Sequence, residues 1–118
     1  MVVLVVDDED TIVQLLSDIL SDEGLEVETA LDGRIALKKL RGGLRPGLMI
    51  SDVMMPGLDG WGLYRALRYE LELGSIGVIL MSAGRNRPQH LDDPATRFIT
   101  KPFDVADVLE AVEELRPH

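Results

Sequence analysis

Cysteine is absent from the 118 residues, which excludes disulfides, thiolate nucleophiles and cysteine-ligated zinc. Histidine is nearly absent too: His90 and His118 are the only two, too few for a histidine-rich metal site. No segment approaches the roughly 18 apolar residues needed to cross a bilayer. No basic stretch, apolar core and small-residue cleavage site precede the strand-like run that begins at Val2. A soluble, cytoplasmic protein without membrane contact is therefore expected. Repeats, low-complexity tracts and interdomain linkers are missing as well, so residues 1–118 are expected to form one domain around one core. An excess of positive charge is also missing. The net charge of -9 would repel a phosphate backbone, and direct nucleic-acid binding is not expected. The acidic surface is most simply a source of solubility.

The chain does have a regular alternation of patterns. Apolar runs at residues 2–6, 48–51, 76–81 and 98–100, with a weaker one at 25–30, are continuous, as in strands buried on both faces. Between them the period becomes helical. Ile12, Leu15, Leu16, Ile19 and Leu20 predict a first helix ending near Gly24. Ala36, Leu37 and Leu40 predict a second before Gly42, and Leu63, Ala66, Leu67 and Leu71 a third before Gly74. Val105, Val108, Leu109, Val112 and Leu115 predict a last helix, with Asp104 at its N-cap and Asp107 placed for a capping box. Strands alternating with helices give an α/β, doubly wound, five-stranded parallel sheet, because parallel neighbours need crossovers. One crossover is weak: in "GRNRPQHLDDPAT", residues 84–96, Pro88 and Pro94 predict a shortened or irregular fourth helix.

Ligands of open parallel sheets bind outside the carboxyl ends of the strands. Here those ends carry Asp7 and Asp8, Asp52, Ser82, and Lys101 before Pro102. Each alone has a plain structural reading, as a helix cap, a strand-end hydroxyl or a solvated turn residue, and Asp10 or Asp59 is expected to be a cap and nothing more. Their joint arrival at one edge points to shared chemistry. Two carboxylates about 4 Å apart repel by about 4 kcal/mol at an effective dielectric near 20, so three need a counter-charge. Oxygen ligands alone favour Mg²⁺, with Mn²⁺ possible, and Mg²⁺ commonly shares a substrate phosphate. A carboxylate held beside such a cation can attack phosphorus, with a Lys ammonium neutralising the transferring oxygens. Lys101 suits that role, and the Ser82 hydroxyl can hydrogen-bond a phosphoryl oxygen.

Asp7 and Asp8 after "VVLVV", "ISDVMMPGLDG" around Asp52, "MSA" at 81–83 and "TKPF" at 100–103 together resemble the receiver domain of bacterial two-component response regulators. The resemblance covers essentially the whole chain. It implies a flavodoxin-like strand order 2-1-3-4-5 and a phosphoacceptor at Asp52, supplied by a histidine kinase, a phosphotransfer protein or a small phosphodonor. It further implies Mg²⁺ on Asp7, Asp8, Asp52 and the Met54 backbone carbonyl, and Lys101 paired with the phosphoryl group. A cis peptide before Pro102 is implied as well. Ser82 would be the switch hydroxyl, the Ala83 N–H a further phosphoryl contact, and Phe98 the switch aromatic, with a downstream target protein or effector domain as output. Such a domain is a signalling element that catalyses only its own phosphorylation and dephosphorylation.

Two departures qualify the resemblance. The interval from Ser82 to Lys101 is a few residues short for that family, in the crossover used for dimer contacts, so a monomer or weak dimer is expected. Met54 and Gly84 flank the path of a hydrolytic water with side chains unable to hold one, which predicts slow loss of phosphate. An aspartyl phosphatase would carry a second acid where this chain has Met54, and a cap for which 118 residues leave little room. A receiver-like module that is never phosphorylated would have no use for the intact acidic set. Trp61 and the methionines Met49, Met54, Met55 and Met81 are expected to pack, and His90 to lie in an exposed loop.

Overall fold

Valine, leucine and isoleucine runs settle as five parallel strands in a computed structural model that describes residues 1–83 and 93–116. They are β1 (Val2–Val6), β2 (Glu26–Ala30), β3 (Leu48–Asp52), β4 (Gly77–Ser82) and β5 (Thr96–Thr100), hydrogen-bonded in the order β2-β1-β3-β4-β5. Helix α1 (Asp10–Asp22) links β1 to β2, and α2 (Gly33–Arg41) links β2 to β3. Helix α3 (Gly60–Arg65) continues into a π-helical turn, Ala66–Glu70, and α4 (Val105–Leu115) follows β5.

Because successive strand side chains point to opposite faces, one continuous apolar run feeds two cores. Val3, Val5, Ile50, Ile79 and Met81 pack under α1 and α4 with Leu16, Leu20, Val108 and Val112. Leu4, Val6, Met49, Val78 and Leu80 face the other way, against Ala36, Leu40, Leu63 and Leu67. Burial of this kind contributes about 25 cal/mol per Å² of apolar surface. It fixes register, since a one-residue slip would exchange the two faces.

The structure corrects several local expectations. The buried line of α1 is Val13, Leu16 and Leu20, whereas Leu15 is 44% exposed: the apolar stripe is wider than the sheet can cover. Asp10 is the first helical residue and not a cap. Asp59 does cap α3, accepting from the Gly62 N–H at 2.8 Å. At α4 the expected capping box between Asp104 and Asp107 is present, with the Asp104 N–H donating to Asp107 Oδ2 at 3.2 Å. Met49, Met55 and Met81 are buried, but Met54 is 62% exposed because it follows the strand into a loop over the sheet edge. Strand β5 begins at Thr96, before Phe98, pairing Thr96 with Val78. The irregular fourth helix expected over residues 84–96 lies outside the described residues except at its end, where Pro94 and Ala95 form a turn into β5. Gly84, Pro88 and His90 are likewise outside them. No helix among the described residues is long and apolar enough to cross a membrane.

Candidate functional site

All five strands run the same way, so their carboxyl ends share an edge, and the register decides which residues meet there. Val6 pairs with Ser51, Asp52 with Met81, and Ser82 with Thr100. Backbone bonds continue past the strands: Asp7 N–H to Ala30 O at 3.2 Å, Val53 N–H to Met81 O at 2.9 Å, and Lys101 N–H to Ser82 O at 2.8 Å. These bonds fix the backbones from which the polar side chains project.

Asp7, Asp8 and Asp52 converge so that one carboxylate oxygen from each lies within 4.8 Å of the others, an arrangement able to hold a metal ion. Asp7 is fully buried, Asp52 nearly so, and Asp8 is exposed, leaving the cluster open to solvent on one side. The Lys101 ammonium enters from β5, 3.1 Å from Asp7 Oδ2 and 3.3 Å from Asp52 Oδ1. Asp7 Oδ1 accepts the Glu9 N–H at 2.9 Å, which ties the start of α1 to the cluster. The Lys101–Pro102 peptide is cis.

Burial pushes both carboxyls above the ordinary aspartate range. At Asp7 the Glu9 N–H and Lys101 offset it only in part, and at Asp52 Lys101 does so against the added repulsion of Asp8. For Lys101 burial pulls the ammonium down, but Asp7 and Asp52 outweigh it and its pKa is raised. One ammonium thus leaves three carboxylates undercompensated. Hard oxygen donors with surplus negative charge and an open side fit a small divalent cation such as Mg²⁺.

The loop after β3 is shaped by two glycines. Gly57 has a φ of +76°, which side chains rarely tolerate, and lets the chain turn after Pro56. Gly60 donates to Val53 O at 2.9 Å, and a Cβ there would overlap the Asp52 carbonyl oxygen and come within 2.8 Å of Val53 Cα. Helix α3 is thereby seated directly on the Asp52 backbone. The Met54 N–H bonds the Asp52 carboxylate, while its side chain points outward. Ser82 is buried at the end of β4 and Ala83 exposed just beyond it. Phe98 is half-buried on β5, with its ring centroid 5.8 Å from that of Trp61.

A second polar constellation gave no sign in the sequence. Asp93 Oδ2 accepts from Tyr64 Oη at 2.6 Å, Arg68 Nε at 2.9 Å and Thr96 Oγ1 at 2.9 Å, and Asp93 Oδ1 from the Ala95 N–H at 2.9 Å. Arg68 also donates to Leu73 O at 2.8 Å, and its side chain is 6% exposed. Burial would raise the Asp93 pKa, but these donors outweigh it and hold the carboxyl at about 2. The clamp lies where β5 begins, at the edge opposite the three aspartates. Tyr64 and Arg68 lie 29 and 25 residues before Asp93, across a crossover, and no spacing rule connects them to it.

Comparisons with known proteins agree with this fold. The family model for the response regulator receiver domain matches residues 3–113. The response regulator PleD of Caulobacter vibrioides is 40% identical over 116 residues, covering 96% of this chain and 25% of that protein. The chain spans a quarter to about half the length of the first curated relatives it matches. The chemotaxis protein CheY4 of Vibrio cholerae superposes with a TM-score of 0.83 at 33% identity, covering 97% of both chains. The response regulator TrrA of Thermotoga maritima, solved in complex with Mg²⁺-BeF, gives a TM-score of 0.83 at 34% identity, again covering 97% of both.

Proposed function

This chain belongs to the family of response regulator receiver domains, and from that membership we propose that Asp52 accepts a phosphoryl group in a Mg²⁺-dependent reaction. The observation that carries the reading is the meeting of Asp7, Asp8 and Asp52 within 4.8 Å, with Lys101 3.3 Å from Asp52. A buried carboxylate facing a fixed ammonium and two further acids is a nucleophile awaiting a cationic bridge. The complex of TrrA with Mg²⁺-BeF supports the choice of metal.

A bound Mg²⁺ would be held by Asp7, Asp8, Asp52 and the Met54 carbonyl, and would supply charge neutralisation to the phosphoryl oxygens. An Asp52 carboxylate oxygen attacks phosphorus as the bond from phosphorus to its donor breaks. The donor is a phosphohistidine of a histidine kinase or phosphotransfer protein, or a small acyl phosphate, which leaves with the bonding electron pair. Lys101 then pairs with a phosphoryl oxygen, and the Ser82 hydroxyl and Ala83 N–H donate to others. Movement of Ser82 opens space for Phe98 to turn, altering the surface of β5 and α4 that a target protein or effector domain reads. Residues 1–118 act as one cytoplasmic receiver unit, monomeric or weakly dimeric, that catalyses only its own phosphorylation and dephosphorylation.

Incubation with an acyl phosphate and Mg²⁺, followed by intact-mass measurement, tests this. One phosphoryl addition is expected, abolished by Asp52→Ala and by chelation of the metal. Consumption of the donor without a mass gain would replace the reading with a phosphatase, and no reaction at all would leave a binding module.

A further inference from the structure

The proposed mechanism connects Asp52 to Phe98 through Ser82, but a second physical connection runs through α3. Gly60 lies against the Asp52 carbonyl and Val53 so closely that no side chain fits between them, and its N–H holds Val53 O at 2.9 Å. The next residue is Trp61. Its ring lies 5.8 Å from Phe98 at an interplanar angle of 44°, and 6.1 Å from Tyr64 at 84°, an edge-on contact.

These neighbours differ in burial. Tyr64 is nearly fully buried, its hydroxyl donates to Asp93 at 2.6 Å, and the Arg68 guanidinium lies 5.4 Å from its ring centroid. Phe98 is half-buried on the edge strand. The Trp61 indole thus touches a buried ring on α3 and a half-buried ring on β5. Movement of the loop that follows Asp52 would reach Gly60, then Trp61, and pass to Phe98 through the contact of the two rings. Ring pairs of this kind attract beyond the area they bury, and such a contact can bias a modest two-state equilibrium.

We propose that Trp61 is a positioning residue that links the state of Asp52 to the orientation of Phe98 by a route independent of Ser82. The inference rests on Asp52 being the phosphoacceptor. It gives the interval between Asp52 and Trp61 a role in signalling as well as in the turn.

The composition makes the test direct, since the chain has two phenylalanines and one tryptophan. Protein labelled with 4-fluorophenylalanine is saturated with beryllofluoride and Mg²⁺ and read by fluorine NMR, with Phe103→Leu assigning the Phe98 resonance. Bound beryllofluoride gives its own signal, so occupancy is read in the same spectrum. Part of the wild-type Phe98 shift should survive in Ser82→Ala, be lost in Ser82→Ala with Trp61→Leu, and return with Trp61→Phe in place of Leu. Trp61 emission should also change on saturation in Ser82→Ala alone, a readout that needs no substitution at Trp61.

Complete loss of the Phe98 shift in Ser82→Ala at full occupancy overturns the second route, as does a shift retained in the double variant. Unchanged Trp61 emission in Ser82→Ala overturns it even if the Leu variant does not fold. Failure of the wild-type protein to bind beryllofluoride shows instead that the Asp52 reading is wrong, and the inference falls with it.

Discussion

The Lys101 ammonium donates to Asp7 Oδ2 at 3.1 Å across 94 residues of sequence, joining the two ends of the chain at the acidic cluster. Under the proposed function, Lys101 and a metal ion would compete for the same carboxylates before a phosphoryl group arrives. Lys101→Met should therefore leave Mg²⁺ affinity unchanged or tighter while slowing phosphoryl uptake by roughly a hundredfold, the usual cost of losing one electrostatic donor. Mg²⁺ titration by Trp61 fluorescence, paired with timed mass spectra, separates the two effects. Loss of metal affinity in this variant would contradict the competition.

Asp7 is fully buried and its pKa is raised, so its charged form weakens the folded state in the absence of metal. The fold binds the proton more tightly than the unfolded chain does. The Asp7 contribution is therefore best below the ordinary aspartate pKa and is lost as pH rises through it to the raised value. Asp7→Asn should raise the melting temperature at pH 7 in chelator and weaken Mg²⁺ binding. A lower melting temperature would show that the bond to Lys101 outweighs burial.

Asp93 titrates in the opposite sense. With its pKa lowered from 3.8 to about 2, it contributes about 2 kcal/mol that is present above the ordinary range and lost as pH falls towards 2. Asp93→Asn should lower stability at pH 7 by about that amount and flatten acid unfolding between those limits. Denaturant melts at several pH values, followed by circular dichroism, measure both. Parallel curves for the variant and the wild type would show that the clamp contributes nothing.

Gly60→Ala forces a methyl group into the backbone of Asp52 and Val53. A loss of about 2 kcal/mol is expected from the overpacking, together with slowed phosphorylation as Asp52 is displaced. Equilibrium unfolding and timed mass spectra after acyl phosphate check each part. A variant as stable as the wild type would mean that α3 can shift outward at no cost.

Met54 extends 62% exposed from the loop after Asp52 and offers no hydrogen bond to water. The aspartyl phosphate should persist, and Met54→Asn should shorten its lifetime several-fold by giving a hydrolytic water a polar partner. Decay of the phosphorylated mass after removal of the donor measures it, and an identical lifetime would exclude a role for this position.

The residues that meet at the carboxyl edge were legible because two rules act together. Continuous apolar runs mark buried parallel strands, and parallel strands deliver Asp7, Asp52, Ser82 and Lys101 to the same side. The strand ends were read to within a residue at β3 and β4, where polarity changes abruptly, and less well at β5, where Thr96 and Arg97 precede the apolar residues. The solvent exposure of Leu15 was not legible, since periodicity shows which residues share a face but not how much of it a neighbour covers. The Asp93 clamp was hidden for a different reason. Its partners come from α3, the π-helical turn and β5, and a salt bridge closed by tertiary structure leaves no periodic trace.

Strand β3 lies in the middle of the sheet, paired on both sides, with every residue buried. Its amides should then exchange with deuterium only through global unfolding, and be the slowest in the molecule. Asp52 ends that strand, so the proposed modification would fall at the boundary between a fixed strand and the loop that leads to Gly60. The strand itself cannot carry the message. The freedom to respond is left to the flanking segments, and exchange should change there while β3 stays silent.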